Sequence, residues 1–362
     1  MYKSSLMCGI FAYLSSVGLN HHIPLILKKS IIESFAQEHH RGPDNSILRT
    51  INDNVLLGFH RLSIMDKSSN GDQPFELSFP NKKPIYLICN GEIYNHTELA
   101  KKYDFEYNSG SDCESILHMY QRWGLDRTVR ELDGVFAFVI YDSNTQEVHC
   151  ARDPFGVRSL YIGCNIHGVG IASELKSLHG ICEHVTTFPP GNYSTLNLTK
   201  DFDFAQNQNH LSELIKFKDH FHQYYSVEYP ISYKEGEGEI MENIRTLFTR
   251  AVDKRLMSER PVGCLLSGGL DSSLVTALVA QKYAKGQLHT FSVGLPGAED
   301  LKYAKMVSEY VGTIHHEIIL SEQEHIVIIK VILFILLVVQ IIRYILSHLC
   351  LLLVSLGQVM MT

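Results

Sequence analysis

The sequence predicts an α+β domain over residues 8–195, followed by an incomplete α/β domain with a doubly wound parallel sheet over 239–324. Three observations carry this. Short apolar runs separated by turns fill the first half: 135–141 reads as a buried strand, and 147–151 pairs with it across the turn at Ser143-Asn144. After residue 239, strand-like and helix-like periods alternate, the pattern of βαβ units. Between these lies a polar, aromatic stretch rich in Asp, Asn, Gln, His and Tyr, read as an interdomain linker with some edge structure over 196–238. A chain of 362 residues is long enough for two domains with full cores.

Taken in order, residues 1–7 form a leader. Met1 to Leu6 is too short and polar for a signal peptide, since it lacks an apolar core of roughly 7–15 residues. Met7-Cys8-Gly9-Ile10-Phe11 follows. A cysteine that becomes residue one carries its own general base, an α-amine with a pKa of about 7.7–8.0. Taken alone, Cys8 reads as a small buried hydrophobe. With the leader attached its nitrogen is a peptide amide and no base. The active form is therefore expected to start at Cys8, either by initiation at Met7 with methionine removal, the favoured route, or by propeptide cleavage.

A helix precedes His39. Arg61, in His60-Arg61-Leu62-Ser63-Ile64-Met65-Asp66, offers a planar fork for an α-carboxylate. Strand 85–89 leads into Asn90-Gly91-Glu92, where a side-chain amide and a glycine N–H suit an oxyanion. Asp112, after Ser109-Gly110-Ser111, suits an α-ammonium. Singly these read as a turn, a surface arginine and a helix cap. Together they outline a pocket for a free amino acid whose side-chain amide is attacked by sulfur.

In the second domain, an amphipathic helix over about 239–258 places Ile240, Ile244, Leu247, Ala251 and Val252 on one face. A buried strand at 262–266 then ends in Ser267-Gly268-Gly269-Leu270-Asp271-Ser272-Ser273 and a helix bearing Leu274, Val275, Leu278 and Val279. Glycines at a helix N-terminus let N–H groups approach an anion, serine hydroxyls add donors, and Asp271 can hold Mg2+ against a polyphosphate. No lysine follows the glycines, so this is not the Gly-x-x-x-x-Gly-Lys loop. A strand at 290–293, a helix at about 300–311 and a strand at 315–319 complete the pattern. Ligands in such sheets sit at the carboxyl ends of the strands, where Ser267 and Val293 lie.

Further segments make a family resemblance specific. His40-Arg41-Gly42-Pro43-Asp44, Leu132 to Phe138, Ala151-Arg152-Asp153-Pro154-Phe155-Gly156, Ala172 to Lys176 and Phe188-Pro189-Pro190-Gly191 stand in order beside the segments above. From Met7 to about Glu324 the chain resembles the glutamine-hydrolysing asparagine synthetases. The first domain is similar to class II glutamine amidotransferase domains, which implies an N-terminal nucleophile hydrolase fold, a four-layer αββα sandwich. The loop at Ser267 resembles that of the ATP pyrophosphatases. The resemblance implies Cys8 as nucleophile and Asn90 and Gly91 as oxyanion hole. It implies a glutamine site of Arg61, Leu62, Ser63, Ile64, Met65, Asn90, Gly91, Glu92 and Asp112. It places ATP contacts at Leu266, Ser267, Gly268, Gly269, Leu270, Asp271, Ser272, Ser273 and Val293. Sugar-phosphate amidotransferases share the first domain but lack this loop. A β-lactam-forming relative is disfavoured, because such enzymes tend to lose the cysteine.

The implied reaction uses glutamine, aspartate and ATP with Mg2+. Ammonia released at Cys8 converts β-aspartyl-AMP to asparagine. The alternative is a glutaminase-only or regulatory remnant, because 325–362 departs from the family: it is Ile/Leu/Val-rich and lacks the expected second nucleotide loop. A frameshifted or truncated end, a membrane anchor and a buried helix pair are the three readings of this tail, with the first favoured. On that reading the chain binds ATP weakly and makes little asparagine. A net charge of −7 carries no nucleic-acid footprint. Eight cysteines without metal spacing suggest reduced thiols in the cytoplasm, and the histidine pairs 21–22, 39–40 and 315–316 point to different faces. Oligomeric state is not fixed by the residues, and a homodimer stays open.

Overall fold

The computed structural model describes residues 7–19, 23–199, 220–227, 236–321 and 323–324. The leader to residue 6, the His21-His22 pair, linker residues 200–219 and 228–235, and the apolar tail from 325 lie outside the described residues. Two compact units are present. The first runs to Gly236 and also takes Met257–Arg260, and the second takes Glu237–Leu256 and resumes at Pro261.

The first unit begins with β1 (Gly9–Ser15), α1 (Leu25–Ala36), β2 (Asn45–Asn52), β3 (Val55–Arg61), β4 (Phe75–Leu77) and β5 (Ile85–Ile93). There follow α2 (His96–Tyr103), α3 (Ser115–Trp123), α4 (Leu125–Glu131), β6 (Gly134–Asp142) and β7 (Glu147–Arg152). It closes with β8 (Tyr161–Asn165), β9 (Gly168–Ala172), α5 (Lys176–His179), β10 (His184–Thr187), β11 (Asn192–Asn197) and β12 (His222–Gln223). The strands form two six-stranded sheets, β10-β8-β9-β1-β3-β2 and β12-β11-β7-β6-β5-β4.

Side-chain alternation explains the layers. Ile10, Ala12 and Leu14 of β1 pack with Ile88 of β5 and Val139 and Tyr141 of β6 in one core between the sheets. Phe11 and Tyr13, on the other face of β1, pack with Ile31 and Phe35 of α1 and Leu178 of α5. Leu87, Cys89 and Phe138 face outward onto Ile116, Leu117 and Val129 of α3 and α4. The order is helix, sheet, sheet, helix. Strands covered on both faces read as unbroken apolar runs, which is why all seven residues of β1 are buried. β5 does not stop at Cys89. It continues through Ile93, with Asn90 opposite Ala137 and Gly91 opposite Phe136, so the Asn-Gly pair lies inside a strand and makes no turn.

The second unit contains α6 (Glu237–Asp253), β13 (Gly263–Leu265), α7 (Leu270–Ala280), β14 (His289–Gly294), α8 (Glu299–Val311) and β15 (Ile314–Ile319). The three strands form one parallel sheet in the order β13-β14-β15. Two expectations change here. The strand read as fully buried has one buried face only: Cys264 is enclosed with Val252, Val279 and Leu288, while Leu265 is 83% exposed. The apolar face of α6 has the expected period, yet Ile244 and Leu247 are exposed and only Val252 is buried. Among the described residues no layer covers the second face of this sheet, and periodicity reports a face without reporting its cover. No helix of the described residues is long and apolar enough to cross a membrane.

Candidate active site

Cys8 stands immediately before β1, half-buried against the turn that follows β3. Its sulfur accepts the Leu62 N–H at 3.3 Å and its thiol faces the Leu62 carbonyl at 3.5 Å. The Cys8 carbonyl accepts Arg41 Nε–H at 3.0 Å, and the Met7 N–H donates to the Arg41 carbonyl at 3.0 Å. Arg41 is in turn paired with Glu174 at 3.1 Å, which joins the segments 40–44 and 172–176 that the sequence reading groups together. Burial pushes the Cys8 thiol up to about 11, although the Leu62 contact and the nearby Arg158 guanidinium act against it. Such a thiol stays protonated near neutral pH and needs a base beside it.

A cavity of about 290 Å³ opens at this sulfur. Its wall contains Cys8, Arg61, Leu62, Ile64, Met65, Asn90, Gly91, Glu92 and Asp112. Ser63 is not in the wall; it is buried with its N–H on Asp44 Oδ2 at 2.8 Å. Asn90 is 2% exposed, and its Nδ2 has no hydrogen-bond partner, so a buried donor is left for a ligand. Asp112 Oδ2 accepts the Ile93 N–H at 2.6 Å. Burial raises this carboxyl to about 6, opposed by the Ile93 bond and His96 and reinforced by Glu92.

Arg61 is more heavily engaged than its sequence context suggests. Nη1 donates to Ser68 O and to Asp72 Oδ1, both at 2.6 Å, and Nη2 donates to the Asp66 carbonyl. This leaves Nε–H and one Nη2–H for a carboxylate. Gly71 presses on the same group: a Cβ there would meet Arg61 Nη2, so a larger residue would push the guanidinium aside. Asp66 ties the Arg61 segment to the one carrying Asp112. Its Oδ1 accepts from Ser68 and its Oδ2 accepts the Gly110 N–H at 2.8 Å.

Several wall residues escape sequence reading. Arg158 pairs with Glu92 at 2.7 Å and touches the Met7 sulfur. It is presented by a loop wound around Asp153, whose carboxylate accepts the N–H groups of Phe155, Val157 and Arg158, each at 3.0 Å. The signal for Arg158 stood two residues past the segment that runs from Ala151 to Gly156. Gln73, Cys89 and Cys113 also line the wall, and nothing in their sequence surroundings marks them.

In the second unit, Gly269 caps α7, so the N–H groups of its first turn open at the Ser267–Ser273 loop. The Ser267 and Ser272 hydroxyls lie 2.9 Å apart, and Ser272 also donates to the Gly269 carbonyl at 3.2 Å. Gly268 has φ +80°, and a Cβ on it would lie 2.7 Å from the Asp300 carbonyl and the Ala304 nitrogen, so only glycine fits. Asp271 is exposed in the first turn, Leu266 is buried with its N–H on Phe291 O at 2.8 Å, and Val293 is exposed on β14. An exposed carboxylate in this first turn is of the kind that can hold Mg2+, which takes one or two protein carboxylates plus phosphate oxygens.

Residues 7–216 match the glutamine amidotransferase domain family and residues 243–354 the asparagine synthase family, the second match running past residue 324 into the apolar tail. The chain is 41% identical over 329 residues to glutamine-hydrolysing asparagine synthetase 1 of Arabidopsis thaliana, covering 88% of this chain and 51% of that protein. It is 37% identical to a probable glutamine-hydrolysing asparagine synthetase of Acanthamoeba polyphaga mimivirus, covering 86% of this chain and 56% of that one. The chain thus spans about half the length of the curated relatives it matches. Among solved structures, a glutamine phosphoribosylpyrophosphate amidotransferase from B. subtilis aligns with a TM-score of 0.46 at 15% identity, over 86% of this chain and 81% of that one.

Proposed function

The chain belongs to the glutamine amidotransferase domain family, and from this premise we propose that it releases ammonia from glutamine at Cys8 for an ATP-dependent amidation of aspartate, the reaction of a glutamine-hydrolysing asparagine synthetase. The observation that carries the reading is the convergence of a thiol, an unpartnered buried amide donor and a buried carboxylate on one cavity. In the form that begins at Cys8, the α-amine takes the thiol proton and sulfur adds to the glutamine side-chain carbonyl. Asn90 Nδ2 and the Gly91 N–H hold the resulting oxyanion. The C–N bond then breaks, the amine's proton leaves with ammonia, and water hydrolyses the thioester to glutamate and restores the thiol. Arg61 holds the α-carboxylate and Asp112 the α-ammonium, while Leu62, Ile64, Met65 and Glu92 shape the rest of the cavity.

In the second unit the Ser267–Ser273 loop, Leu266 and Val293 bind ATP, and Asp271 would hold Mg2+, whose charge would screen the polyphosphate. Aspartate is adenylated on its β-carboxylate with loss of pyrophosphate, and ammonia displaces AMP. Cys8, Cys89, Cys113, Cys150, Cys164, Cys182 and Cys264 are all free thiols, which suits the cytoplasm. The test is pyrophosphate release that requires aspartate. Release accompanied by asparagine formation supports the full reaction, whereas glutamate production from glutamine with little release, the outcome expected of a chain whose residues 325–362 lack the second nucleotide loop, reduces the function to that of a glutaminase.

A further inference from the structure

We propose that Gln73 is a positioning residue for the oxyanion hole: its side-chain amide stands in for a strand residue and fixes β5 at Cys89, next to Asn90. The inference rests on the glutaminase reading above. β4 pairs with β5 with Phe75 opposite Leu87, Glu76 opposite Tyr86 and Leu77 opposite Ile85. Extending that antiparallel register places Gln73 opposite Cys89. The backbone ladder does not reach that far, because β4 begins only at Phe75. The Gln73 side chain supplies both missing partners: its Oε1 accepts the Cys89 N–H at 2.5 Å, and its Nε2 donates to the Cys89 carbonyl at 3.2 Å. It is 4% exposed and stands in the wall of the cavity.

On its other edge β5 is held by β6, with Cys89 opposite Phe138 and Asn90 opposite Ala137. Gln73 therefore grips the strand from the cavity side, one residue before the unpartnered Asn90 amide. Only an amide fits both contacts. An ionised glutamate has no donor for the Cys89 carbonyl, and a methionine leaves two buried backbone groups unpaired. Arg61 and Asp112 bind the amino-acid end through contacts of their own: Arg61 is held by Ser68, Asp66 and Asp72, and Asp112 meets β5 at Ile93, four residues beyond Cys89. Asn90 and Gly91 act on an oxygen whose charge develops only during reaction. Shifting them lowers turnover and leaves ground-state affinity in place.

The experiment compares the wild-type full chain with Gln73→Glu and Gln73→Met, using two probes. L-Glutamate γ-semialdehyde adds the Cys8 S–H across its carbonyl, forming the C–S bond and placing the new oxygen in the hole. L-Glutamate shares its amino-acid end and forms no such bond. Both variants should lose about 10²-fold in kcat, the loss typical of a roughly 1 Å misplacement, with KM changed by less than about twofold. Affinity for the aldehyde should fall in step with kcat, while glutamate affinity holds. Unchanged aldehyde affinity in active protein overturns this proposal alone. Parallel loss of both ligands also overturns it, since Gln73 would then only maintain the fold of the pocket. A wild-type chain that neither hydrolyses glutamine nor takes up the aldehyde overturns the glutaminase reading, and this proposal with it.

Discussion

Asp112 has a carboxyl raised by burial to about 6, so in the free protein it takes up a proton as pH falls through that value. Because its folded pKa lies above the ordinary 3.8, the folded state holds this proton more tightly, and the group's contribution to stability declines as pH rises from about 4 to about 6. For binding the consequence is the opposite. In the proposed binding mode the α-ammonium of glutamine loses its counter-charge below about pH 6, so KM should rise with acidity. Steady-state kinetics between pH 5 and 8 check this, and Asp112→Asn should give a high KM with the slope removed. Arg61→Lys should raise KM by about tenfold or more, since a point charge replaces a fork and charge-assisted hydrogen bonds of about 1.5–3 kcal/mol each are lost. Glutamine titration of the variant measures it. The sequence shows which charges suit an amino acid, but not that three neighbours already hold Arg61. Those partners depend on a turn whose geometry no single residue announces.

At the scale of elements, the quoted motifs prove to be one another's supports. Arg41 reaches Glu174, the Tyr94 N–H reaches the Asp133 carbonyl, and Arg152 donates to the Phe188 carbonyl. Conversely, the Asn90-Gly91 pair has the local signature of a turn, yet the pairing of β5 with β6 overrides it. The Ser267–Ser273 loop was legible as strand, turn and helix, because Gly268 is forced by the close approach of α8. Gly268→Ala should therefore destabilise the second unit by about 1–3 kcal/mol, the range for a strained backbone position, and abolish ATP binding. Denaturant unfolding followed by tryptophan-independent circular dichroism, together with ATP titration, tests both effects. What the sequence did not disclose is which apolar faces are covered. Leu265 and Leu247 look like core in a periodicity plot and are exposed among the described residues.

For the whole molecule, the proposed ammonia-releasing site lies in the first unit and the proposed nucleotide loop in the second. The first unit was the more legible: short apolar runs between turns mark its strands, while its four-layer order is what the family resemblance of the spaced motifs implies. The second was legible in element order but not in burial, because a period marks an apolar face without telling what covers it. The central claim is that Cys8, as an N-terminal residue, attacks glutamine. It is tested most directly by glutamate release from glutamine in wild-type and Cys8→Ala proteins, with intact-mass analysis of each N-terminus. The account predicts that active wild-type protein begins at Cys8 and that Cys8→Ala releases no glutamate. Undiminished glutamate release by Cys8→Ala, or a normal rate from protein that retains residues 1–7, would contradict it.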